Sequence, residues 1–216
     1  MYKFKGYKKE NENEKEIKEN CEIIINGKLI PFSYFHKFNK KGKYTIKYIF
    51  KKNMTKTNYM FYWCSSLRNI NLSNFNTNNA TNKSYMFSLC SSLTNIDLSN
   101  FNINNVKDIS FIFYECSYLT NINLSSFNTK NVKDMSFMFY ECSSITNIDL
   151  SNFNTNNVKE MMNMFSLCLF LTNINLSNFN TNNVNNMSGM FFECKNLNKN
   201  NTNTKDKRIL NELKFT

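Results

Sequence analysis

Histidine, proline and alanine occur once each (His36, Pro31, Ala80) and glycine four times in 216 residues. A single histidine allows no imidazole pair, and four scattered glycines form no phosphate-cradling loop. Paired-carboxylate motifs are missing as well, so neither an enzyme nor a cofactor is expected. The longest apolar-rich stretch, Met161–Leu171, contains Asn163 and Ser166 and falls far short of the roughly 20 residues of a membrane span. No transmembrane segment is therefore expected. Residues 1–20 show no apolar run behind the positive start, and Cys21 follows Lys18, Glu19 and Asn20 where a lipobox has small apolar residues. With no signal peptide, lipobox or C-terminal anchor visible, the chain as given reads as cytoplasmic and its cysteines as thiols.

Apolar residues make up 41% of the chain, 21 of them Phe, against 20% charged, which is the composition of a folded domain. Asparagine occurs 43 times. Beside so little alanine, that abundance reflects AT-rich coding as much as chemistry, so position matters more than count.

Cys64, Cys90, Cys116, Cys142, Cys168 and Cys194 are each 26 residues from the next. Leu72, Leu98, Leu124, Leu150 and Leu176 keep the same step, as do Phe75 to Phe179 and Phe61 to Phe191, without insertion or deletion. Five complete units run from Cys64 to Glu193. Units of this size bury their apolar face only by stacking on their neighbours, which predicts a solenoid. Between Cys90 and Glu115, Ile96 and Leu98 alternate with Asn95, Asp97 and Ser99, predicting a short half-buried strand. Val106, Ile109, Ile112, Phe113 and Cys116 then step by three, three, one and three, predicting a short helix or pair of helical turns. Asn105–Asp108, Asn131–Asp134 and Asn157–Glu160 have capping-box spacing. The expected fold is thus α/β, with 26-residue strand-helix units, a parallel sheet on one side and a wider helical side that curves the stack. Asn26-Gly27 between apolar runs predicts a type I′ β-hairpin. With Tyr44–Ile49 as a strand in the register of the repeats, the hairpin would form an N-terminal cap. The expected organisation is a charged segment at 1–20, a β-rich cap at 21–56, repeats over 57–197, and a polar tail or weak cap at 198–216 with a helix within 207–215.

The words Met138-Phe-Tyr-Glu-Cys-Ser-Ser-Ile-Thr-Asn-Ile-Asp-Leu-Ser-Asn-Phe-Asn-Thr-Asn-Asn-Val158 recur with small changes from about Asn58 to Leu197. This pattern resembles the leucine-rich repeats of the BspA type. It is closer to their asparagine-rich subgroup, first noted as a domain of unknown function in mycoplasma surface lipoproteins. The resemblance covers roughly two-thirds of the chain. It implies a leucine-rich-repeat fold and surface-exposed adhesion or protein recognition, with host matrix proteins bound by some members. It also implies a cell-surface location where an upstream segment supplies export.

Residues 1–56 hold 15 Lys and 6 Glu, residues 57–194 hold 6 basic and 8 acidic side chains, and residues 195–216 hold 6 and 2. The solvent positions of the expected strands are Asn69, Asn95, Asn121, Asn147, Asn173; Asn71, Asp97, Asn123, Asp149, Asn175; and Ser73, Ser99, Ser125, Ser151, Ser177. They form the candidate recognition face, to which the Asn that begins each strand brings either ligand contacts or ladder hydrogen bonds. With no Lys or Arg in register there, nucleic acid is disfavoured as a partner of the repeats. The six repeat cysteines read as a buried structural thiol column, since one sulfur per unit makes no metal site. Oxidation between neighbouring units is the minority outcome. Asn76 and its equivalents are expected to satisfy turn backbone. Lys83 stands where Ile109, Met135, Met161 and Met187 lie in later units and reads as an edge defect. Trp63, Leu89 and Leu167 form a docking patch if exposed. The expected function is non-catalytic recognition of a protein or glycan. The alternatives are a structural spacer, or attachment of the basic segment Lys3–Lys56 to anionic membrane or nucleic acid.

Overall fold

The structure, a computed structural model, describes residues 14–31 and 37–213. The expectations for residues 1–13, for His36 and for a helix reaching 215 lie outside them. It is built mainly of strands and turns with few helices, and none of its helices is long and apolar enough to cross a membrane.

A short helix α1 (Glu14–Asn20) leads into β1 (Cys21–Ile25), which reverses at Asn26-Gly27 into β2 (Lys28–Ile30). Both turn residues have positive φ, 48° and 83°, the geometry that Asn-Gly adopts in a type I′ turn. β3 (Ile46–Phe50) pairs antiparallel with the other edge of β1. The expected register of Tyr44–Ile49 with the repeat strands is therefore corrected. β1 offers five register pairs, Cys21 to Ile25, where the repeat strands offer three. The Glu16 carboxylate ties α1 to the start of the repeats by accepting from Thr55 N–H and Oγ1 and from Lys56 N–H.

From there each turn of chain lies on the one 26 residues further on. β4 (Asn69–Asn71) pairs parallel with β5 (Asn95–Asp97), and β6 (Asn147–Asp149) with β7 (Asn173–Asn175). The triplet Asn121–Asn123 between these pairs is not a strand. It is identical in sequence to β4, and no local difference accounts for the gap. The parallel sheet is thus two separate ladders. A longer ladder runs on the far side through the parallel bridges Asn82, Asp108, Asp134, Glu160 and Asn186.

The helix expected in each unit is absent: those residues are consecutive turns. The N–H groups of Met86, Ser88 and Cys90 close four-residue turns on the carbonyls of Lys83, Tyr85 and Phe87. Those of Tyr85, Phe87 and Leu89 reach into the next unit, to the carbonyls of Ser110, Ile112 and Tyr114 at 3.1, 3.0 and 2.7 Å. An α-helix about 10 Å across fits beside strands ~4.8 Å apart only if the stack curves strongly. A chain of turns fits without that curvature, because every second N–H is free to bond the neighbouring unit. The wider side, and with it the reason for curvature, falls away. At two of the three capping boxes the acidic residue closes an Asx turn instead, with Asp108 Oδ1 accepting from Ser110 N–H and Oγ at 2.9 and 2.7 Å and Asp134 Oδ1 from Ser136 N–H at 2.8 Å.

The core is a set of stacked columns. Phe87, Phe113, Phe139, Phe165 and Phe191 are fully or almost fully buried, with successive ring centroids 5.5 to 5.7 Å apart. Each such burial contributes about 1.5–3 kcal/mol. Buried Thr129 and Thr155 donate to Asn154 O and Asn180 O and accept the same residues' N–H groups, joining units through hydroxyls. At the C-terminal end, the region expected to be irregular contains a further strand, β8 (Thr202–Asn203), parallel to β7. Helix α2 (Lys207–Glu212) follows, N-capped by Asp206, which also accepts from Thr181 N–H and Oγ1. Arg208 donates to the carbonyls of Thr181 and Val184, closing the last unit.

Candidate recognition face

Alternation places Ile96, Ile148 and Ile174 inward and their neighbours outward. Asn69, Asn71, Asn95, Asp97, Ser99, Asn121, Asn123, Ser125, Asn147, Asp149, Asn173 and Ser177 are exposed, while Ser73, Ser151 and Asn175 are half-buried. All fifteen line one side of the stack. The first column is partly self-paired: Asn95 donates to Asn69 at 3.1 Å and Asn173 to Asn147 at 2.9 Å, whereas Asn121 bonds its neighbour Thr120. In the second column each side chain caps the serine two residues on, as in Asp97 Oδ1 to Ser99 N–H at 3.0 Å and Asp149 Oδ1 to Ser151 N–H at 2.9 Å. Those serine hydrogen bonds hold both carboxyls below the ordinary aspartate range. The face widens at its C-terminal end into a trough of about 630 Å³ over β6, β7 and β8, lined by Asn147, Asp149, Asn173 and Asn175 and by residues 200–204.

The amides after each core Phe cap turns, as in Asn102 Oδ1 to Asn104 N–H at 2.7 Å. All seven cysteines are free. The thiols of Cys90, Cys116, Cys142, Cys168 and Cys194 are buried and donate to the carbonyl of the Phe 29 residues earlier at 2.9 to 3.2 Å. Burial pushes Cys90 up to about 12 and Cys116 and Cys168 well above the ordinary thiol value. Cys64, at the head of the column, is exposed. Among the described residues no group of three His, Cys, Asp or Glu is arranged to hold a metal.

Three features of the other side escaped the sequence reading. Lys107, Lys133 and Lys159 form an exposed in-register column, joined by backbone hydrogen bonds of 2.8 Å and lying beside Asp108, Asp134 and Glu160; regular Lys spacing was the available signal. Two columns sit at positive φ: Tyr59, Tyr85, Phe111, Phe137 and Asn163, and Trp63, Leu89, Glu115, Glu141, Leu167 and Glu193. Lys83 is fully buried with its ammonium 4.8 Å from the Phe101 ring centroid and 3.5 Å from Thr77 O, so it is a core residue and no edge defect. Trp63 is exposed, Leu89 and Leu167 are half-buried, and Leu167 lies three units away from Leu89, so the three make no single patch.

The family model described as a mycoplasma protein of unknown function, DUF285, matches twice, over residues 32–147 and 118–213. No curated protein and no solved structure matches the chain.

Proposed function

The chain belongs to the family of mycoplasma proteins of unknown function, DUF285, and on that premise we propose that it is a non-catalytic recognition or adhesion module. In this reading the units form a leucine-rich-repeat solenoid of the BspA type, and a protein or glycan docks on the strand face. The parallel pairing of Asn69 with Asn95 and of Asn147 with Asn173 supports the stacking. The observation that carries the ligand reading is the trough, whose rim is made of strand-face side chains from β6, β7 and β8. Amides and hydroxyls at one-strand spacing, with the exposed carboxylate of Asp149, offer many shallow hydrogen bonds to a polar polymer. Presentation at a cell surface fits such a module and rests on the family resemblance.

The test is binding to arrayed glycans and to purified extracellular-matrix proteins, comparing the native chain with the triple variant Asn147→Lys, Asp149→Lys, Asn175→Lys. The expected result is at least one ligand retained by the native chain and lost by the variant while the thermal melt is unchanged. Identical binding by both, or no binding by either, would leave the repeats as a spacer.

A further inference from the structure

On the turn side, away from the strand face, we propose that Tyr114, Glu115, Tyr140 and Glu141 form a receptor for a guanidinium or ammonium side chain presented by a partner protein. This inference is independent of the strand-face reading.

The Tyr114 and Tyr140 rings stack with centroids 4.9 Å apart and planes 6° off parallel. Beside them Phe111 and Phe137 stack at 4.6 Å, and Phe137 packs on Tyr140 at 5.6 Å. Glu115 and Glu141 follow the two tyrosines in the chain and sit on adjacent units, tied by the hydrogen bond from Glu115 N–H to Tyr140 O at 2.8 Å. All four side chains are half-buried. The group is close enough that charges act across it. Burial, and after it the charge of Glu115, raises the Glu141 carboxyl, while burial, then a side-chain hydrogen bond with Glu115 and the charges of Glu115, Tyr140 and Glu141, raises the Tyr114 phenol.

Two carboxylates on neighbouring turns, against aromatic faces, want a cation. Among the described residues neither Glu115 nor Glu141 has one: the ion pairs lie at Lys15–Glu19, Lys51–Glu22 and Lys195–Glu193. The last of these shows what the other two lack. Glu193 stands in the same column as Glu115 and Glu141, and Lys195, two residues on, binds it at 2.6 Å. The equivalent residues after Glu115 and Glu141 are Ser117 and Ser143. Among the described residues the cation is thus supplied once and missing twice, at the two units where the tyrosines pair. Carboxylates carried on adjacent units suit a planar guanidinium with its face on a ring. The sign of the charge excludes an anionic polymer at this spot.

The experiment is an NMR titration of the full chain at low salt with acetyl-Gly-Arg-Gly-amide, following the ring resonances of Tyr114 and Tyr140. Saturable shifts with a dissociation constant of about 1 mM are expected for so small a probe. The Glu115→Gln, Glu141→Gln double variant is expected to weaken binding roughly tenfold, and Tyr140→Leu to weaken it as well. Glu19→Gln on α1, a carboxylate outside both candidate sites, is expected to leave it unchanged. Should the double variant fold poorly, each single Gln variant is expected to weaken binding about threefold. Absence of saturable shifts in the native chain, or equal binding by the Gln variants, would overturn the proposal. Self-association of the native chain in sedimentation, abolished by the Gln variants, would also overturn it by assigning the cation to a second copy.

Discussion

Lys83 offers the sharpest test of the packing. Its unit is built like the later ones, yet an amine replaces the Ile or Met of four equivalent positions, inside a core where it is fully buried. Burial lowers its ammonium from 10.5 to about 7. The Phe101 ring and the Thr77 carbonyl are its neighbours, and no carboxylate contributes to the shift. In the unfolded chain the amine keeps its ordinary value. Below pH 7 both states are protonated and the whole cost of burying a cation is present. Between pH 7 and 10.5 the folded chain releases its proton first, so stability rises with pH; above 10.5 the cost is gone. The full span corresponds to about 5 kcal/mol. The perturbation is Lys83→Met, which restores the side chain of Met135, Met161 and Met187. Urea denaturation at several pH values should find the variant more stable than the native chain by several kcal/mol at pH 6, with the gap shrinking by about 2 to 3 kcal/mol at pH 9. The difference between the two proteins is the proper readout. The buried thiols hold their protons longer when folded, and so reduce the stability of both above about pH 9. A gap that stays constant with pH, or a variant less stable than the native chain, would refute the reasoning.

Two further outcomes follow from the turns and the thiols. Leu89 sits at φ 62°, where a β-branched side chain is strongly disfavoured and glycine is at ease. Leu89→Val should therefore cost about 1–2 kcal/mol in a denaturant melt, and Leu89→Gly should stay within about 1 kcal/mol of the native chain. With a disulfide reagent at pH 8, exposed Cys64 should label first, at a rate held down by the burial that raises its thiol, while Cys90, Cys116, Cys142, Cys168 and Cys194 wait for unfolding; labelling of all six at one rate would contradict a sealed column.

The positions that were legible, and those that were not, differ in kind. Asn26-Gly27 announced its hairpin because both residues tolerate positive φ, a local property. The inward Leu and Phe columns were legible because an unbroken step of 26 leaves one economical way to hide them from water. Val106 to Cys116 misled because apolar residues three apart suit a helix and a run of tight turns alike. Which of the two forms depends on whether an N–H bonds its own turn or a carbonyl 25 residues away. β8 was invisible because Thr202-Asn203 lacks the apolar signature of earlier strands and pairs only because β7 ends with an open edge.

By itself, the amino-acid sequence determined the period, the hairpin and the composition of each column, since these depend on which side chains recur and on local backbone preference. Only the tertiary structure decided that the second half of each unit is turns, that Lys83 is sealed inside, and that Glu115 and Glu141 lie on adjacent units beside two tyrosines with no cation on them among the described residues. Those outcomes depend on what a neighbouring unit presents across a few ångströms, and no single stretch of chain carries that information.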